Sequence, residues 1–205
     1  MKLSIITQAA IKIEDSKIIY FDPFQISEEL HDATYIFITH DHYDHYDEKS
    51  IRNVINENTT LIVPLCLKEK AQMITNKILV VEPSKTYKLT DISFETIPAY
   101  NLAKPFHPQE NGYVGYLVTS DNTTYYIMGD TDVVKEITKI KTDICFVPIG
   151  GTYTMDVDEA IAYINSLNPK KVIPIHYGSI VGDITLGNKF KEKINQNIEV
   201  EILIK

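Results

Sequence analysis

Apolar positions along this chain fall in short runs broken by polar turn residues, and their period switches between two and about 3.6. Residues 3–7 and 9–13 read as strands, Asp15-Ser16-Lys17 as a turn, and 17–21 as a third strand stopped by Asp22-Pro23. Ser27-Glu28-Glu29-Leu30 opens a helical turn, and Tyr35-Ile36-Phe37-Ile38 has the aromatic and β-branched make-up of a buried strand. Ile51, Val54 and Ile55 then recur at helical spacing over 48–56, with Asp47 as N-cap. Strands over 60–63 and 78–81 flank a helix over 66–75, and 86–98 alternates as two antiparallel strands around Thr90-Asp91.

Residues 100–112 form a loop, followed by strands at 113–119 and 124–128 with Asp121-Asn122 as the hairpin turn. A helix over 132–140 leads to a strand over 144–149. The clearest helix is 157–167, where Asp156 and Glu159 make a capping box and Ala160, Ile161, Ile164 and Leu167 an apolar stripe. Asn168-Pro169 ends it. A strand over 172–175, a loop over 178–187, a helix over 187–195 and a strand over 199–204 complete the chain. No linker or composition break interrupts residues 1–205, so one domain is expected. There is a faint internal echo: Asp22 precedes a strand ending at His40 by 18 residues, and Asp130 precedes one ending at Gly150 by 20. Two β-rich halves with helices imply paired sheets covered by helices.

Against this background one stretch stands out. His40-Asp41-His42-Tyr43-Asp44-His45 holds three of the six histidines immediately after the 35–38 strand. Neutral imidazole and carboxylate are the ligands that divalent transition metals take when no thiolate is offered. On an extended segment His40, His42 and Asp44 share one side, and His45 comes from a turn. His-x-His-x-Asp-His after a buried strand resembles the signature of the metallo-β-lactamase superfamily. The resemblance implies an α/β fold, the four-layer αββα sandwich, and a two-metal site completed by an aspartate and a histidine from later strand ends. Asp130 in Gly129-Asp130-Thr131 and His176 in Ile175-His176-Tyr177 match those places, and Asp22 matches the strand-end aspartate that supports the site by orienting a ligand imidazole. Pro98-Ala99-Tyr100-Asn101, Phe106-His107-Pro108 and Gly150–Met155 narrow the resemblance to small stand-alone metal-dependent hydrolases near the ascorbate-6-phosphate lactonase group.

The implied chemistry is hydrolysis by a metal-bound hydroxide on a small ester, lactone or phosphodiester, with two divalent ions, zinc first and manganese or iron next. His40, His42 and a third donor fall to one ion, and Asp44, His45 and His176 to the other, with Asp130 bridging; Asp44 and Asp130 carry the catalytic roles. Where many members supply the third histidine, this chain has Asn101, and the next histidine is His107. His107 is the favoured donor, with Asn101 as a weak oxygen ligand the alternative. Tyr43, Asn101, Lys104, Phe106, Tyr153, Met155 and Tyr177 flank the motifs as candidate pocket residues. The rival reading is a non-hydrolytic metal-binding or iron redox module on the same fold.

Charge and composition add limits. The net charge of −8, with no Lys/Arg stripe, argues against nucleic acid as a partner and leaves a small-molecule substrate. No apolar run approaches the roughly 20 residues of a membrane span, and the amphipathic start is too short for a signal peptide. Cys66 and Cys145 form no Cys-x-x-Cys pair and read as reduced thiols, which points to a cytoplasmic protein.

Overall fold

A computed structural model describes residues 1–204 of the protein. They group into two compact units, Met1–Glu82 and a second from Pro83 onward.

The first unit is a six-stranded sheet in sequential order, β1 (Lys2–Thr7), β2 (Ala10–Glu14), β3 (Ile18–Phe21), β4 (Tyr35–Phe37), β5 (Thr60–Pro64) and β6 (Ile78–Val81). Its first three strands form an antiparallel meander, and β3 to β6 run parallel. Helices α1 (Glu48–Val54) and α2 (Lys68–Gln72) cover one face, where Ile51, Val54 and Ala71 pack on Tyr20, Ile36, Ile38, Leu61 and Val63. Each such aliphatic side chain contributes roughly 1.5–3 kcal/mol when fully buried. The other face carries Ile11, Ile13, Ile19 and the stacked rings of Phe21 and Phe37, all fully buried. Strands with both faces buried read as continuous apolar runs rather than alternations.

The second unit repeats the plan. Strands β7 (Thr86–Lys88), β8 (Ser93–Pro98), β9 (Val114–Ser120) and β10 (Thr123–Ile127) are antiparallel, and β10, β11 (Ile144–Pro148), β12 (Lys171–Ile175) and β13 (Glu199–Val200) run parallel. Asp121 and Asn122 both take positive φ in the β9–β10 turn, as a two-residue hairpin requires. Helices α3 (Val157–Leu167) and α4 (Leu186–Lys193) bury Ala160, Ile164 and Phe190 on Tyr126, Cys145, Val147 and Val172. The capping box on α3 is complete: Asp156 accepts from the backbone N–H of Asp158 and Glu159, and Glu159 accepts from that of Asp156. The echo between the halves is therefore a repeated topology, in which β3‖β4 and β10‖β11 deliver Asp22 and Asp130 from equivalent strand ends.

Several expected elements differ. Ser27–Leu30 is not helical, because Leu30 and His31 spend their N–H groups on Asn53 O. The 66–75 helix is shorter, a 3-10 turn at Leu65–Leu67 followed by α2. The 132–140 helix is only a 3-10 turn, Lys135–Lys139. Val133, Val134, Ile137 and Thr138 are β-branched and poor helix formers, and Asp132, which would have capped it, is engaged elsewhere. The last strand covers only Glu199–Val200 of the expected 199–204.

Candidate functional site

In both units the chemistry-bearing side chains leave the sheet at the carboxyl ends of strands, where open α/β sheets place their ligands.

In the first unit, β3 ends at Asp22 and β4 at the histidine segment. Asp22 adopts a left-handed backbone conformation, φ 45°, which turns its carboxylate across to β4. There Oδ1 accepts from the Thr39 N–H and Oδ2 from the Thr39 hydroxyl, both at 2.7 Å. The same Oδ2 lies 2.7 Å from His45 Nδ1. A carboxylate only accepts, so the His45 proton sits on Nδ1 and Nε2 is directed to Asp44 Oδ2 at 3.6 Å. Thr39 has given its only hydroxyl proton to Asp22, so at 2.9 Å it accepts from His40 Nδ1. His40 Nε2 then faces His42 Nδ1 at 3.1 Å. Burial pushes the Asp22 carboxyl up, opposed by the adjacent His45 and the two Thr39 bonds. His40, Asp44 and His45 are buried, and Tyr43 projects outward at 67% exposure, edge-on to Phe24.

In the second unit, β8, β10 and β12 deliver Asn101 with His107, Asp130, and His176. Asp130 Oδ2 stands 3.4 Å from His107 Nε2 and 3.1 Å from His176 Nε2, with all three side chains buried. His176 takes φ 58° at the strand end, a conformation unusual for a non-glycine residue and common at functional sites. Its carbonyl lies against Gly150, where any Cβ would strike His176 O and approach Val181 Cγ1 to 2.8 Å. Asn101 accepts from His107 Nδ1 at 2.9 Å, so it acts on His107 rather than beside it.

The remaining candidates divide. Phe106 is half-exposed and meets Tyr153 edge to face at 4.6 Å. Lys104 is held by Asp132 and by Thr154 O at 2.9 Å. Met155 and Tyr177, the other two candidate pocket residues, are fully buried in the core of the second unit, with Tyr177 packed over Gly187 of α4. An apolar residue beside a motif reads the same in sequence whether it faces a ligand or the core. His31, outside the motifs, is exposed with Nδ1 2.7 Å from Ile55 O. Thr39 and Asp132 carry no role in the sequence reading, although Asp132 directly follows Gly129-Asp130-Thr131.

Imidazole nitrogens and carboxylate oxygens at these strand ends form groups that could hold a metal ion, and such donors suit zinc, manganese or iron alike. A profile for the beta-lactamase superfamily domain matches residues 2–176. A UPF0173 metal-dependent hydrolase of Pyrococcus horikoshii is 30% identical, the alignment covering 99% of this chain and 96% of that one. Another from Staphylococcus carnosus is also 30% identical, over 99% and 96%. A metal-dependent hydrolase candidate from Parabacteroides distasonis, solved by crystallography, superposes with a TM-score of 0.84 at 28% identity, covering 99% of this chain and 93% of that one. The chain belongs to the beta-lactamase superfamily, in its UPF0173 metal-dependent hydrolase family. Its α/β class, with two mixed sheets and attendant helices, is the one expected. Among the described residues no helix is long and apolar enough to cross a membrane.

Proposed function

We propose that the protein is a cytoplasmic hydrolase of a small ester, lactone or phosphodiester, using two divalent ions held by His40, His42, Asp44, His45, His107, Asp130 and His176. Because one family profile runs through both units, the chain is read as a single domain. His40, His42 and His107 serve one ion, Asp44, His45 and His176 the other, and Asp130 both. Bound divalent ions supply Lewis acidity and a water of lowered pKa, so no serine or cysteine nucleophile is needed. Cys145 is buried, and burial holds the Cys66 thiol at about 11, so neither is an activated nucleophile.

The protein's own residues set the donors. Asp22 holds the protons of His45 directly and of His40 through Thr39, leaving the Nε2 lone pairs for a metal. Asp130 presents one oxygen to two imidazoles. The observation that carries the reading is the trio His40, His45 and His107, three buried imidazoles whose Nδ1 atoms meet Thr39, Asp22 and Asn101 in turn. The test is a screen of the zinc- and manganese-loaded protein against lactones, phosphodiesters and thioesters, each paired with a chelated control. Chelator-sensitive turnover of one class supports the proposal. Metal-bound protein inert to all three, or one whose bound iron changes oxidation state during turnover, overturns it.

A further inference from the structure

The loop that supplies His107 is organised around a carboxylate that is not among the seven donors. Asn101 N donates to His107 O at 2.9 Å, closing residues 102–106 into a small loop. Asp132, itself buried, accepts from Asn101 Nδ2 at 3.2 Å, from the Leu102 N–H at 2.9 Å and from the Lys104 ammonium. Asn101 Nδ2 also donates to Tyr153 O at 2.9 Å.

Two acceptors on one end of the amide settle which end is nitrogen. The other end is then the carbonyl, 2.9 Å from His107 Nδ1, and a carbonyl only accepts. The ring proton therefore sits on Nδ1, and Nε2, the nitrogen facing Asp130, carries the lone pair. Turning the amide over would set its oxygen against the Asp132 carboxylate and Tyr153 O. It would also aim an NH2 at Nδ1 and drive the ring proton onto Nε2.

We propose that Asp132 is a positioning residue for His107, setting its tautomer through the Asn101 amide, with Lys104 offsetting the charge of the buried carboxylate. This rests on His107 being a metal donor, as proposed above. It goes further by making the donor competence of that histidine depend on a residue two bonds away.

The test separates tautomer control from simple pinning of the loop. Zinc affinity is measured by competition with a chromophoric chelator, and the His107 tautomer by ¹⁵N NMR of the metal-free protein. Asp132→Ala is expected to weaken binding about tenfold, the low end for residues that orient metal ligands, and to move His107 toward the Nε2–H form. Adding Asn101→Asp restores an oxygen that can only accept opposite Nδ1. The double variant Asn101→Asp/Asp132→Ala should therefore return His107 to the Nδ1–H form and recover part of the lost affinity, the second carboxylate oxygen facing Tyr153 O holding it below the wild type. A pinning role predicts no rescue, because Leu102 N and Lys104 lack their acceptor in both proteins; that result, or an unchanged tautomer in Asp132→Ala, overturns the proposal. Should Asp132→Ala fail to fold, Asp132→Asn, which can keep an oxygen for Leu102 N, carries the same comparison. If His107→Ala leaves zinc affinity unchanged, the metal assignment fails, while the tautomer measurement still decides the relay.

Discussion

Asp22 Oδ2 and His45 Nδ1 lie 2.7 Å apart with neither side chain reaching solvent. The carboxylate is also the acceptor for both polar hydrogens of Thr39, so one buried aspartate orients two histidines. Asp22→Asn is expected to keep the fold, since asparagine tolerates the left-handed backbone at this position. Its zinc affinity should fall about 10–100-fold. Chelator competition on the variant checks this, and unchanged affinity would show that Asp22 serves only the turn.

Removal of metal should be total in its effect. Chelation followed by gel filtration is expected to take about two divalent ions from each chain and abolish hydrolysis, since seven donors exceed what one tetrahedral ion uses. Elemental analysis before and after gives the count. One ion per chain, or full activity in verified metal-free protein, contradicts the assignment.

Asp130→Asn should separate function from folding. Its Oδ2 faces two imidazoles, so an amide nitrogen there opposes metal at both. Turnover is expected to drop about a hundredfold or more, while the metal-free variant melts within a few degrees of the wild type. A large loss of melting temperature without metal would mark Asp130 as structural.

Gly150→Ala should damage the second unit at a distance from any donor atom. The new methyl would strike the backbone carbonyl of His176, which cannot yield without moving β11 or β12. A loss of roughly 1–3 kcal/mol is expected from overpacking, read by urea denaturation, with weaker metal binding where His176 is a ligand. Wild-type stability would mean that the strand ends part easily.

Acid should expose one clamp. Lys170 and the Thr124 N–H and hydroxyl hold the Asp143 carboxyl at about 2, below its ordinary 3.8. A depressed carboxylate contributes stability above the unfolded value and loses it as pH falls through the folded one. Asp143→Asn should therefore be less stable near neutrality by about 0.5–1 kcal/mol, since the pair is partly exposed. The gap to the wild type should close as pH drops from about 4 to 2. A difference that persists at pH 2 would need another cause.

What could be read from sequence was local. The run from His40 to His45, the capping box at Asp156 and Glu159, and the Asp121-Asn122 turn each lie within a few residues, and their side-chain types carry the chemistry. What could not be read were partnerships across the chain. Thr39 meets Asp22 over 17 positions and Asn101 meets Asp132 over 31, and nothing in the intervening composition announces either. The left-handed turns at Asp22 and His176 were equally silent, because neither is glycine. The 132–140 stretch holds the β-branched Val133, Val134, Ile137 and Thr138, and Asp132 is engaged with the Asn101–Lys104 loop; only the second of these needs the folded structure to be seen.

The candidate donors follow the carboxyl ends of the strands, while the ties of Asp143 to Thr124 and Lys170 lie at the opposite ends of β10, β11 and β12. For protein engineering this polarity separates two kinds of library. If the proposed site is right, randomising Leu102 and Phe106 on the His107 loop would change the surface a substrate meets and leave those ties untouched. Replacing clamp residues tunes heat and acid tolerance without redrawing the reacting surface. The two libraries can be screened separately and their winners combined, with additive gains expected wherever the chosen positions share no partner.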